Sequence, residues 1–353
     1  MWRVLGAVAI LLLMLLTGSL QGDSDVAPAH SVLLSETGLY SDIATKTIRS
    51  DNLSYSPQYP LWSDGATKQR WVYLPPGQTI DASDPTAWQF PVGTKFWKEF
   101  TFGSRVETRK IEKTGADRWT FAAYSWTTDG SDAQLVGQNG LKNCADISQG
   151  IRHDIPSVND CKTCHEGTGR EVILGFNALQ LSSDRDSLAP HAEVLTEEMI
   201  TLDDLLARGL LKNVPDGAYA KAPRIDAATP RARASAGYLW ANCGGCHNEH
   251  DPLSSVGLVF SVSQDSVYMK RLLDWPTVIG HPSDYEIPGL ARGESLWIAP
   301  GDPGKSTVVY RIASRSPSKQ MPPLGTKLID HEAVELISNW IAEDIKPQET
   351  SKK

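Results

Sequence analysis

Four of the five cysteines fall into two copies of one pattern, Cys161-Lys162-Thr163-Cys164-His165 and Cys243-Gly244-Gly245-Cys246-His247. Two thiols separated by two residues, with an imidazole directly after the second, match the geometry of covalent haem attachment. The thiols add across the porphyrin's two vinyl groups, and the adjoining histidine reaches under the ring to bind the iron. Zinc sites and dithiol redox motifs also use Cys-x-x-Cys, but they do not require that histidine. Two haem c groups are therefore the expected cofactors. Cys161, Cys164 and His165 would hold the first and Cys243, Cys246 and His247 the second, with His165 and His247 as iron ligands.

A sixth ligand for the second iron is expected at Met321, in Met321-Pro322-Pro323. A thioether favours ferrous iron and raises the potential, and the prolines stiffen the segment that presents the sulfur. Met269 is the nearest competitor, in an ordinary alternating stretch. No such segment follows the first motif, where Met199, His191, His153 or an open position remain alternatives. A six-coordinate haem passes electrons, whereas an open one can bind a small molecule. Cys144 is left over and reads as a buried free thiol. Arg292, Arg311 and Lys327 are candidates for pairing with haem propionates. Gly304-Lys305-Ser306 looks like part of a phosphate loop, but Ala299 stands where the first glycine is needed, so that motif fails.

The elements that position these residues divide the chain. From 31 to 150 the sequence is rich in aromatic and β-branched runs: Arg70 to Leu74, Phe96 to Phe102, Arg105 to Lys113, and Arg118 to Trp126 with a Thr127-Thr128-Asp129-Gly130 turn. An antiparallel β domain is expected there. From 151 the pattern turns helical, as in Thr196 to Leu211, where Met199, Leu202, Leu205, Leu206 and Leu210 recur at helical spacing. A first haem region with a Pro- and Ala-rich linker is expected to run to 230. A cytochrome c-like second haem domain is expected over 231–347, closing with a helix from Asp330, its N-cap, to Ile345. The expected fold class is α+β multidomain, with a β domain followed by a mainly α-helical haem-binding region.

Met1-Trp2-Arg3 precedes an apolar run, Val4 to Leu16, that is short for a membrane span of about 20 residues. It reads as an export signal over 1–22, placing the mature chain in the periplasm, with a membrane anchor only if the segment stays uncleaved. Composition is that of a soluble globular protein, 41% hydrophobic and 22% charged, with a net charge of −8. An acidic balance argues against a nucleic-acid partner, because phosphate binding needs clustered Lys and Arg.

Further segments are distinctive: Leu34-Ser35-Glu36-Thr37-Gly38-Leu39-Tyr40, Leu61-Trp62-Ser63-Asp64-Gly65-Ala66, Phe90-Pro91-Val92-Gly93-Thr94 and Arg105-Val106-Glu107-Thr108-Arg109. The second half has Leu174-Gly175-Phe176-Asn177, Ala241-Asn242-Cys243, Pro300-Gly301-Asp302-Pro303 and Met321-Pro322-Pro323-Leu324-Gly325. On these segments rests a resemblance: the chain resembles a family of exported bacterial diheme c-type cytochromes often encoded beside parallel β-helix proteins. It implies haem binding at the positions already named, electron transfer between redox partner proteins, and a β-helix protein as a further partner. The expected function is electron carriage without a catalytic residue. The rival is a peroxidase-like diheme oxidoreductase, in which the Met321-ligated haem feeds an open first haem. Pro156, five residues before Cys161, rules against a long helix leading into the first motif.

Overall fold

The computed structural model describes residues 30–84, 87–166, 172–248, 258–260 and 278–347. The expected export segment and Met269 lie outside the described residues.

Six strands form the main antiparallel sheet in the order β3-β4-β6-β7-β8-β9. They are β3 (Asn52–Ser54), β4 (Thr67–Tyr73), β6 (Lys95–Phe102), β7 (Ser104–Lys113), β8 (Trp119–Trp126) and β9 (Ala133–Leu135). The runs expected as strands are strands. β6 and β7 join through Gly103, whose φ of +73° suits a tight hairpin turn. Side chains alternate between the two faces. One face carries Trp71, Trp97, Ala122 and Tyr124 against Leu34, Leu39 and Tyr40. The other carries Val72 and Phe96 against Ile173, Phe176 and Leu205. Both faces are covered, which accounts for a sheet so dense in aromatic residues.

Smaller pairings surround it. β1 (Tyr40–Asp42) pairs with β2 (Thr47–Ile48), and β5 (Ile80–Asp81) pairs in parallel with β12 (Leu211–Lys212). A hairpin of β10 (Leu141–Ser148) and β11 (Ile151–Ile155) turns at Gln149-Gly150 and so straddles residue 150, where the β domain was expected to end. β structure therefore runs up to the first motif.

The expected mainly α-helical haem-binding region is not found, and the α+β reading with a helical second half is corrected. The fold is mostly β-sheet. Among the described residues there are five α-helices, none longer than 14 residues: α1 (Val158–His165), α2 (Leu202–Ala207), α3 (Pro230–Cys243), α4 (Thr307–Ile312) and α5 (His331–Glu343). The leucine spacing over Thr196 to Leu211 yields only the short α2. Ile200 N–H donates to the β3 residue Ser54, Gly209 adopts φ +63°, and Leu211 joins β5. Pairing with the sheet overrides helix periodicity at both ends.

The expected linker is packed rather than free. Ile225 is fully buried in the cluster that holds Leu239, Trp240, Ile337 and Trp340, and Tyr219 packs on the cluster around Phe176. The C-terminal core is likewise not closed on itself, because Tyr59, Leu179 and Ala189 belong to it. The expected cap is present: Asp330 accepts the Ala333 N–H at 3.1 Å.

Candidate functional site

The first motif lies wholly on α1. The helix starts just past Pro156, with Ser157 as N-cap and Asp160 completing a reciprocal capping box: Ser157 N–H donates to Asp160 Oδ2 at 2.9 Å, and Asp160 N–H to Ser157 Oγ at 3.1 Å. No long helix leads in. α1 packs on β8, where the ring of Phe121 faces His165 at 5.6 Å between centroids. Cys161, Cys164 and His165 are half-buried, each keeping an accessible side.

The ring of His165 is oriented by its neighbour. Nδ1 lies 2.6 Å from the carbonyl oxygen of Val172. A carbonyl only accepts, so Nδ1 must carry the proton, and in the neutral ring the lone pair sits on Nε2. Burial, reinforced by the nearby Lys98 and Arg109 charges, pulls the His165 pKa down to about 4 despite the Val172 bond, which keeps the imidazole neutral. A neutral histidine with one nitrogen donating to a backbone carbonyl and the other free to coordinate is the usual state of a metal-binding histidine.

The thiols of Cys161, Cys164 and Cys243 are not activated. Burial raises the pKa of Cys161 and of Cys164, partly opposed by Arg109, and it pushes Cys243 up to about 12. Redox-active Cys-x-x-Cys pairs show the reverse, a lowered value. None of the five cysteines is in a disulfide. Among the described residues no three His, Cys, Asp or Glu side chains converge as a metal site, so the two Cys pairs do not share a zinc centre. Haem c needs no such cluster, because the thiols bond to carbon and one histidine meets the iron.

The second motif begins at the last residue of α3. Cys246 N–H and His247 N–H both donate to the Cys243 carbonyl, at 3.1 and 2.9 Å. Phe260 stands edge-on to the His247 ring at 6.0 Å, and its N–H donates to the His247 carbonyl. Met321 and Cys243 pack against the same hydrophobic cluster, so the fold brings the expected thioether and the second motif to one core. The Met321 N–H is held by the Arg311 carbonyl at 3.0 Å. This segment is stapled to the sheet-rich half, because Asp64 Oδ1 accepts from the N–H groups of Lys327 and Leu328, each at 2.8 Å.

The alternatives for the first distal position separate. His191 stands near the second motif, stacked on Trp62, with Nε2 against Asp330 and Nδ1 3.4 Å from Glu332. Met199 lies beside β3 in a turn and not on a helix. His153 is buried, with Nε2 2.9 Å from Glu107, which also pairs with Arg109 beside the first motif. Cys144 donates its thiol to the His153 carbonyl at 3.2 Å. Of the expected propionate partners, Arg311 donates to the Lys319 carbonyl, Lys327 pairs with Asp154 at 2.8 Å, and Arg292 is exposed. Gly304 and Lys305 lie on an Asp302-capped 3-10 turn, Pro303–Lys305, with Ser306 as its C-cap. Sequence reading gave no site role to Glu107, Arg109 or Lys98, and it read Asp330 only as a helix cap. The first three sit on strands as alternating charged residues, the ordinary pattern of a solvated sheet face.

The chain matches no family model, no curated protein and no solved structure. Among the described residues no helix is long and apolar enough to cross a membrane.

Proposed function

We propose that this protein is a diheme c-type cytochrome that carries electrons between redox partner proteins outside the cytoplasm. The observation that carries the reading is the 2.6 Å contact of His165 Nδ1 with the Val172 carbonyl, immediately after two unactivated thiols at haem-attachment spacing. It leaves the lone pair on Nε2, where a coordinating nitrogen needs it. Haem, when bound, supplies one-electron chemistry at its iron. The chain's own residues do the rest. Cys161 and Cys164 would fix the first ring and Cys243 and Cys246 the second, and His165 and His247 would be the iron ligands. Met321 offers a thioether to the second iron. Phe121 and Phe260 pack beside the two imidazoles.

Electron paramagnetic resonance of the oxidised protein, produced in a host that matures c-type cytochromes, tests this function. Two low-spin ferric signals are expected. A stoichiometric high-spin signal would move the reading to a haem enzyme, and no ferric haem signal would overturn it.

A further inference from the structure

The sheet face that meets α1 carries a row of cations. Arg70 on β4 is in register with Lys98 on β6, which is in register with Arg109 on β7, and Lys68 lies two residues before Arg70 on the same face. Adjacent strands are about 4.8 Å apart, so the row from Arg70 to Arg109 spans about 10 Å. It starts at the first motif, since Arg109 shares its face of β7 with Ile111, Ile111 is in register with Phe121 of β8, and the Phe121 ring faces His165 at 5.6 Å.

The row has too few anions. Glu193 pairs with Arg70 at 2.7 Å, and Glu107 is shared by Arg109 and His153. Lys68 Nζ donates to the Leu61 carbonyl. Among the described residues, Lys98 Nζ meets no carboxylate and lies 4.8 Å over the Phe100 ring, which also carries Arg109. Arg70, itself buried, has a second guanidinium nitrogen, Nη2, that is buried without a hydrogen-bond partner. Four cations thus face two carboxylates, and the donor left over on buried Arg70 is costly unless a further anion meets it beside half-buried Lys98.

We propose that Lys68, Arg70, Lys98 and Arg109 form a carboxylate site for the propionates of the haem attached at Cys161 and Cys164, with Lys98 Nζ and Arg70 Nη2 as its donors. This rests on haem attachment at the first motif. Vinyl groups and propionates occupy opposite edges of the porphyrin. With the thioether edge beside Arg109, the carboxylates fall along the row toward Lys98 and Arg70. Electron transfer then takes place over a fixed positive field that favours the ferrous state.

The test uses the mature holoprotein and its Lys98→Met and Lys98→Arg variants. Intact mass reports attachment at the first motif independently of the row, so a wild-type chain without that haem would sink the function and not this site in particular. With haem attached, Lys98→Met is expected to lower the first midpoint potential and shift the propionate-bending band in resonance Raman. The second potential should stay unchanged, and Lys98→Arg should restore the first. If Lys98→Met fails to load, loading rescued by Lys98→Arg supports the charge requirement, and loading lost in both overturns it. An unchanged first potential and Raman band in Lys98→Met would also overturn it. So would a saturable spectral change on adding phosphate or acetate to the wild type that vanishes in Lys98→Met, because the cations would then serve a dissolved anion.

Discussion

Both carboxylate oxygens of Asp330 lie 2.9 Å from Nε2 of His191, across 139 residues of chain. Asp330 also accepts from the Tyr238 hydroxyl of α3 at 3.0 Å and caps α5, so one buried carboxylate joins the helix leading to the second motif, the terminal helix and the segment around His191.

That junction predicts the effect of Asp330→Ala. The substitution removes a helix cap and strands the buried Tyr238 hydroxyl, for a total of about 2–4 kcal/mol. Asp330→Asn keeps an acceptor and should lose less. Urea denaturation of the three proteins checks the ranking, and equal stabilities would contradict it.

A second prediction concerns α3. A Cβ at Gly237 would land on the ring carbons of Tyr59, which is 1% exposed and edge-on to Trp240 at 6.4 Å. Gly237→Ala should therefore overpack the interface and cost about 1–3 kcal/mol. Pairing it with Tyr59→Leu should recover part of the loss. If Gly237→Ala alone is neutral, the close approach of α3 to Tyr59 is wrong.

How far these features are legible in the sequence differs from one to the next. Alternating aromatics over Phe96 to Phe102 and Trp119 to Trp126 mark strands, because a period of two over a full strand length has few other readings. Asp330 before an amphipathic run marks a cap. By contrast, Thr196 to Leu211 has helical spacing, yet Ser54 and Ile80 draw its ends into pairing with the β segments, and neither residue is near it in sequence. Ile225 sits in a polar, Pro-rich stretch and is buried by distant helices. The two Cys-x-x-Cys-His motifs are legible because their pattern is local. The cation row is not, since it exists only through the register of three strands.

A third prediction follows from the capping box of α1. Hydrogen bonds from the Ser157 side chain and backbone hold the Asp160 pKa below its ordinary value of 3.8. A depressed carboxylate stabilises above the unfolded pKa and loses that contribution as pH falls through the folded one. Asp160→Ala should cost about 1 kcal/mol near neutral pH. The gap to wild type should narrow as pH drops below 3.8. Stability curves run from neutral to acid would contradict this if the gap stayed constant.

The second site makes a redox prediction. If Met321 ligates a haem held at the second motif, Met321→Ala should lower the potential of that haem and turn its iron high-spin, with the first unaffected. Potentiometric titration with optical detection reads both. An unchanged pair of potentials would remove Met321 from the ligand set.

Covalent attachment at both motifs is the central claim, and intact mass spectrometry of the denatured protein from a host with cytochrome c maturation machinery tests it most directly. The expected result is a chain heavier by two haems, falling to one in Cys161→Ala/Cys164→Ala and to one in Cys243→Ala/Cys246→Ala. A chain with no added haem mass, and with all its cysteines open to alkylation, would contradict the account.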